Sequence, residues 1–275
     1  MNTLKNMALG KYVAVDSPLH RLDPRTKLVA TLALMITAVQ CDELPALILF
    51  CFFVLMSARL SLLPMALLLR NLRPFFWLFA FTLIMHGLMS PGAVILRLPL
   101  TDLGFSYEGL HFGAFFSLRL AVVVSLASLL TLTTSPIEIT DGLERLLGPL
   151  RRFGFPAHEL AMMVTIALRF IPVLIEEAER LHKAQLARGA DFSGGPIRRV
   201  RQLLPLLVPL FLAAFARADR LAIAMESRCY RGGKGRTSYR VLELDRRDFR
   251  AAITVAVIIA LAICFGLLPG LESVF

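Results

Sequence analysis

Residues 109–133 read GLHFGAFFSLRLAVVVSLASLLTLT. A single charge, Arg119, interrupts this run, which has the length a bilayer-crossing helix needs, about 20 apolar residues within a range of roughly 17–25. The whole chain agrees with it. Of 275 residues 57% are hydrophobic and the mean hydropathy is +0.69, whereas soluble domains are roughly 45–50% apolar. These figures argue against a soluble globular protein. The net charge of +10 therefore has to be placed relative to a membrane before it is read as a nucleic-acid footprint.

Four further apolar segments lie near 28–40, 44–58, 74–90 and 251–268. The first two are short. Read as one helix, 28–58 would hold Asp42, Glu43 and Pro45 at its middle, where a carboxylate in hydrocarbon costs several kcal/mol. Two short helices joined by a tight turn place those charges in water, and Lys27 and Arg59 are expected to snorkel and lengthen each span. The fold class expected is an all-α integral membrane protein with about five transmembrane helices. Its parts are a cytoplasmic N-terminal segment (1–27), four transmembrane helices (28–133), a cytoplasmic or interfacial helical module (134–250) and a C-terminal transmembrane helix (251–275). Residues 1–27 have no apolar core of the signal-peptide kind, so cleavage is not expected. Every Lys and Arg except Arg97 and Arg119 then falls in 1–27, 59–73 or 134–250. Basic loops stay inside, so a multi-pass protein of a cytoplasmic membrane with its N-terminus in the cytoplasm is expected. Arg119 is either a substrate or partner contact, or is paired with a carbonyl or carboxylate of a neighbouring helix.

The segment 134–250 reads as helices. Ser135-Pro136-Ile137-Glu138 supplies an N-cap, a proline at the first helical position and a capping-box glutamate; a helix over about 136–147 follows. Pro156 opens a long helix to about residue 188, and Pro196 opens another to about 228. The first long helix is apolar from Leu160 to Ile175 and amphipathic beyond, with four-apart pairs expected between Glu176 and Arg180 and between Glu179 and Lys183. The second carries an apolar stretch, 203–216, interrupted by Pro205 and Pro209. A membrane-crossing hairpin of the two would carry Arg198, Arg199 and Arg201 outside, against the positive-inside rule. A cytoplasmic or interfacial pair is therefore expected.

Catalytic and metal motifs are scarce. Cys41, Cys51, Cys229 and Cys264 are far apart and the five histidines are scattered, which gives no sequence-local metal site. Gly232-Gly233-Lys234-Gly235 lacks phosphate-loop spacing, so no ATP hydrolysis is expected of this chain alone. Glu176-Glu177-Ala178-Glu179-Arg180 is similar to the EExxxR motif of intramembrane CAAX-type proteases, but the residue at the arginine position is Leu181. A stand-alone protease of that type is the alternative function; a channel is disfavoured by the few charges within the spans.

Two tripeptides carry more. Ala187-Arg188-Gly189 closes the first long helix and Ser227-Arg228-Cys229 closes the second. Flanking small residues permit close backbone approach, and arginine offers a planar fork of five donors to carboxylates and carbonyls. Ala216-Arg217-Ala218 is a third copy of a pattern that chance also produces. The two helix ends acquire context from Phe170-Ile171-Pro172, from 184–190 (AQLARGA) and from 16–27 (DSPLHRLDPRTK). Together these resemble the transmembrane coupling (T) component of energy-coupling factor (ECF) ABC transporters, over about residues 16–268. The resemblance implies a non-catalytic scaffold that joins two ABC-type ATPase subunits to a small substrate-binding membrane protein for uptake of a vitamin or metal ion. It implies ATPase docking by Ala187, Arg188, Gly189, Ser227, Arg228 and Cys229. It implies no cofactor in this chain, with ATP and Mg bound by the partner ATPases, and no nucleic-acid partner. Ser227 and Cys229 replace the usual Ala and Gly, which leaves a glycine-type helix stop open at that end.

Overall fold

The computed structural model describes residues 12–13, 15–90, 94–97, 104–190, 195–232 and 244–267. In chain order the helices are α1 (Pro24–Gln40), α2 (Leu44–Leu60), α3 (Met65–Leu72), α4 (Phe76–Met89), α5 (Tyr107–Thr133), α6 (Pro136–Leu146), α7 (Ala157–Ala187), α8 (Pro196–Ser227) and α9 (Arg246–Leu267). A 3-10 turn over Arg73–Phe75 joins α3 to α4 at Pro74, and another covers Gly148–Phe153. A short antiparallel ribbon, β1 (Val94–Arg97) with β2 (Gly104–Ser106), precedes α5; no strand was expected from the sequence. The chain divides into two compact units, one containing Leu143–Val241 and the other Lys11–Gly142 with Leu242–Phe275.

In the second unit α1, α2, α5 and α9 pack together and α4 lies along α5. The core faces follow helical spacing. On α2 the buried residues are Ala46, Leu47, Phe50, Val54, Ser57 and Ala58. The opposite face presents Ile48, Phe52, Leu55 and Met56, all more than half exposed. The same exposure of large apolar side chains recurs at Leu32 and Ile36 of α1, Phe76, Trp77 and Phe81 of α4 and Val257 and Ile263 of α9. An apolar surface of this extent belongs in lipid rather than water.

Among the described residues four stretches are long and apolar enough to cross a membrane: Met65–Met89, Tyr107–Thr133, Ala157–Ala187 and Arg246–Gly266. These depart from the expected five in two ways. Helices α1 and α2 are each 17 residues, about 25 Å at 1.5 Å per residue, against a hydrocarbon core of about 30 Å. Helix α7, expected under the bilayer, has the length and composition of a span. The span expected from 74 starts earlier, because Pro74 occupies a 3-10 turn that keeps α3 and α4 one continuous helical stretch.

Helices α4 and α5 approach closely through small residues. A Cβ built on Gly109 would lie 2.4 Å from the His86 carbonyl oxygen and 3.0 Å from Gly87 Cα; one on Gly113 would lie 3.0 Å from Leu83 Cα. One turn further on, the Ser117 hydroxyl donates to the Phe79 carbonyl at 3.2 Å. Small residues every fourth position let helix backbones meet, as in membrane helix pairs generally.

Arg119 is paired. Its guanidinium donates to the Cys41 carbonyl and, at 2.9 Å, to Asp42 Oδ1. It also lies 4.8 Å and 5.0 Å from the ring centroids of Phe115 and Phe116. The turn of the α1–α2 hairpin ends level with the middle of α5, so a charge that looks mid-span in the sequence meets the hairpin's polar tip. Of the two expectations for Arg119, the internal pairing is the one observed.

Lys27 does not snorkel. It is buried, and its ammonium donates to the carbonyls of His20 at 3.1 Å and Thr133 at 3.0 Å. It belongs to a polar knot at the start of α1. Asp23 caps α1 by accepting from the Arg25 amide at 2.8 Å, and the Asp23 amide donates to Asp248 Oδ1 of α9 at 2.7 Å. Asp248 is buried and also accepts from the Asp245 amide through its other oxygen, at 2.9 Å. The Val13 amide reaches the Leu132 carbonyl at 3.2 Å. His20 Nε2–H donates to the Val13 carbonyl at 3.0 Å, and the Ser17 hydroxyl meets Nδ1 at 2.7 Å. Burial pushes the His20 imidazole below its ordinary pKa, so it is held neutral. Nearby on the surface, Asp16 is held low by its bidentate bonds to Arg21 at 2.7 and 2.6 Å. The segment 16–27 is thus a strap that fastens the first helix to α5 and α9.

Candidate docking site

The other unit is built on α7 and α8, which pack on each other. The capping box that leads into α6 forms as expected: the Ser135 amide donates to Glu138 Oε2 at 3.2 Å, and the Glu138 amide to Ser135 Oγ at 3.3 Å. Beyond it, His158 Nδ1 lies 2.8 Å from Glu144 Oε1 and ties the start of α7 to the end of α6. Pro172 lies within α7, and Pro205 and Pro209 within α8, without ending either helix. Each proline removes one backbone donor, but the helices continue to Ala187 and Ser227, within one residue of the ends read from the sequence. Arg198, Arg199 and Arg201 lie in the first turns of α8.

The two helix ends have the same backbone. In α7 the Gly189 amide donates to the Leu186 carbonyl and the Ala190 amide to the Gln185 carbonyl, both at 3.0 Å. In α8 the Cys229 amide donates to Glu226 at 2.9 Å and the Tyr230 amide to Met225 at 3.0 Å. Each is a Schellman motif, with the 5→2 and 6→1 bonds that satisfy the last carbonyls of a helix. The motif requires a left-handed residue after the cap. Gly189 supplies it with φ +84° and Cys229 with φ +58°. The stop left open by the Cys229 substitution is therefore made, with a non-glycine residue in a region that costs an L-residue about 1–2 kcal/mol.

Arg188 and Arg228 are the cap residues themselves, with nearly equal backbone angles, φ −88° ψ 7° and φ −92° ψ 15°. Both are exposed, as are the small residues on either side, Ala187, Gly189, Ser227 and Cys229. Each arginine thus projects from the last turn with no bulky neighbour in sequence to block a partner. A cation here also complements the negative end of the helix dipole. The third copy differs. Arg217 is half-buried in the middle of α8, and its Nη1 is enclosed without a hydrogen-bond partner among the described residues.

The protease-like string does not organise as expected. Among the described residues the exposed Arg180 approaches the less exposed Glu177, three residues back, at 3.8 Å, a weak contact that stands in place of the expected Glu176–Arg180 pair. Arg169, which the sequence places deep in an apolar stretch, is exposed. Among the described residues no three His, Cys, Asp or Glu side chains gather as a metal site.

Sequence reasoning missed the α4–α5 crossing and the role of Asp248. The spacing of Gly109 and Gly113 was the available signal for the first. For the second there was none, because Asp248 meets Asp23 across 225 positions.

Comparison with known proteins agrees with the resemblance. The family model CbiQ, described as a cobalt transport protein, matches residues 16–239. An energy-coupling factor transporter transmembrane protein of Heliobacterium modesticaldum is 51% identical over 255 residues, covering 92% of this chain and 94% of that one. Its counterpart in Thermanaerovibrio acidaminovorans is 48% identical over 265 residues (94% and 96%). That of Bacillus subtilis is 44% identical over 261 residues (94% and 97%). With similarity at this level along nearly the full length, the chain belongs to the family of energy-coupling factor transporter transmembrane proteins and is a multi-pass membrane protein.

Proposed function

We propose that this chain is the scaffold and coupling subunit of an ATP-driven importer. It joins two ABC-type ATPase subunits to a separate, small substrate-binding membrane protein, and the cargo is a vitamin or a metal ion. The chain performs no catalysis, and ATP and Mg are held by the ATPases. The observation that carries this reading is the pair of helix ends: two exposed arginines, Arg188 and Arg228, each at the cap of a Schellman motif and flanked by small residues. A duplicated end suits two copies of one kind of groove.

The mechanism is mechanical. ATP-driven closure of the ATPases moves the docked ends, with Ala187–Gly189 seated in one subunit and Ser227–Cys229 in the other. Helices α7 and α8 are 31 and 32 residues long, about 47 Å at 1.5 Å per residue. A displacement at either tip reaches the far end of so long an element. The exposed apolar residues of 160–175 and 203–216, such as Met163, Val164, Val208 and Phe211, form the face that meets the substrate-binding protein. The basic module 134–250 is cytoplasmic or interfacial, with the apolar part of α7 against the bilayer, and the N-terminus is cytoplasmic, in keeping with the positive-inside rule.

The experiment reverses both arginines, Arg188→Glu with Arg228→Glu, in the complex purified from its own membrane. Loss of ATPase co-purification and of substrate uptake is expected. Arg220→Glu, exposed in mid-helix, is expected to leave both intact. Full co-purification and uptake in the double variant would overturn the docking assignment.

A further inference from the structure

Two neighbouring cavities lie at the Lys27 end of the membrane unit, and Thr26 lines both. The inner one is a crevice of about 210 Å³ between α1, α2, α5 and α9, walled by Leu34, Phe53, Leu130 and Val255. At roughly 30 Å³ per water-sized group it has room for about seven, a short run of methylenes. Three polar groups of its lining are engaged: Lys27 Nζ by two carbonyls, the Thr133 hydroxyl by the Leu129 carbonyl at 2.7 Å, and the Thr254 hydroxyl by the Arg250 carbonyl at 2.9 Å. The hydroxyls of Thr26, Thr31 and Ser57 also border it, and the rest of the lining is apolar.

The outer cavity combines apolar side chains, Leu244, Phe249 and Ala252, with charged ones. It is lined by Arg246 and Arg250, one helical turn apart on α9, with Asp245 and Asp248. Both aspartates are in use. Asp248 holds the amides of Asp23 and Asp245; Asp245 accepts from the Arg246 amide at 2.7 Å and lies 3.6 Å from Arg247 Nε. The guanidinium groups of Arg246 and Arg250 are exposed, and neither makes a hydrogen bond or ion pair among the described residues. The cavity therefore offers two cations side by side.

We propose that this pair of cavities binds one anionic phospholipid, its phosphate between Arg246 and Arg250 and part of one acyl chain in the crevice. Cationic pockets at the ends of membrane helices are the places where acidic headgroups gather, and a mainly apolar crevice bordered by lipid-facing helices suits hydrocarbon. The ligand also bridges α1 and α9 beside the Asp23–Asp248 contact, so it reinforces the joint between the first and last helices of the unit. The inference rests on the membrane fold and is independent of ATPase docking.

The test uses the full-length chain in nanodiscs of phosphatidylcholine and phosphatidylglycerol, with a trace of either lipid carrying a photoreactive acyl chain. Phosphatidylglycerol is expected to label peptides containing Phe53, Leu130 or Val255 well above phosphatidylcholine. Arg246→Glu and Arg250→Glu should each lower that labelling roughly fivefold. Arg70→Glu changes the net charge equally but is exposed and lies outside both cavities, and should leave the labelling unchanged. Thr254→Phe, at the exposed rim, should block chain entry and remove the label without altering the charge. Equal labelling by both lipids, label confined to other helices, or the same loss from Arg70→Glu as from Arg246→Glu would each overturn the site.

Discussion

Exchange of Gly189 and Cys229, the residues that follow the two caps, measures what the left-handed position contributes. Gly189 has φ +84°, and a Cβ added there meets nothing within 4 Å. Gly189→Cys therefore introduces no clash, and its effect is conformational: about 1 kcal/mol of strain from the lower part of the range for an L-residue in this region, less about 0.5 kcal/mol because the open state loses glycine's chain entropy. Cys229→Gly relieves the same strain at φ +58°, less the same entropy term, which glycine adds to the open state. The first change should raise the opening equilibrium of the α7 end about twofold. The second should lower that of the α8 end about twofold. Hydrogen exchange resolved to the terminal peptides reads both, because the amides of residues 189, 190, 229 and 230 are the donors of the Schellman bonds. The wild-type α8 end should already exchange faster than the α7 end. Unchanged protection at 189–190 in Gly189→Cys would refute the assignment of a shared, strained cap.

Three further outcomes concern the membrane unit. Gly109→Ala forces a Cβ to within 2.4 Å of the His86 carbonyl oxygen; overpacking of this kind costs about 1–3 kcal/mol, read as a lower thermal midpoint, while Gly148→Ala, with open space around it, should shift it little. Asp248→Ala strands the buried amide of Asp23 and frees that of the exposed Asp245, at about 1–3 kcal/mol for the buried donor left unpaired, and Asp248→Asn, which keeps one acceptor, should lose about half as much in the same melt. The His20 pKa is lowered in the folded protein, so its contribution is complete above its ordinary value near 6.5 and is lost as pH falls through that value towards the folded one; thermal stability should drop between pH 7.5 and 5.5, and His20→Gln should flatten that part of the profile.

The local features of the fold were legible because each has a short-range cause. Ser135 and Glu138 announce α6 by a reciprocal cap, Pro156 and Pro196 mark the starts of α7 and α8, and Asp42, Glu43 and Pro45 break 28–58 into a hairpin. Pairings that close over long sequence distances were not legible. Asp42 for Arg119 and Asp248 for Asp23 are set by which helices lie side by side, and hydrophobic periodicity carries no such information. Lys27 was misplaced for the same reason, since the carbonyls of His20 and Thr133 that bury it are brought together only when the strap folds over the end of α5. At the two long-helix ends the small-Arg-small pattern located both arginines, but the left-handed backbone at Cys229 is invisible in a sequence where glycine is the usual sign of it.

The central claim is that each helix end holds one ATPase subunit. The mass of the intact purified complex tests this most directly, because it counts subunits. The wild-type chain should carry two ATPase subunits, the single variants Arg188→Glu and Arg228→Glu fewer than two, and the double variant none. Two ATPase subunits retained by the double variant would contradict the account.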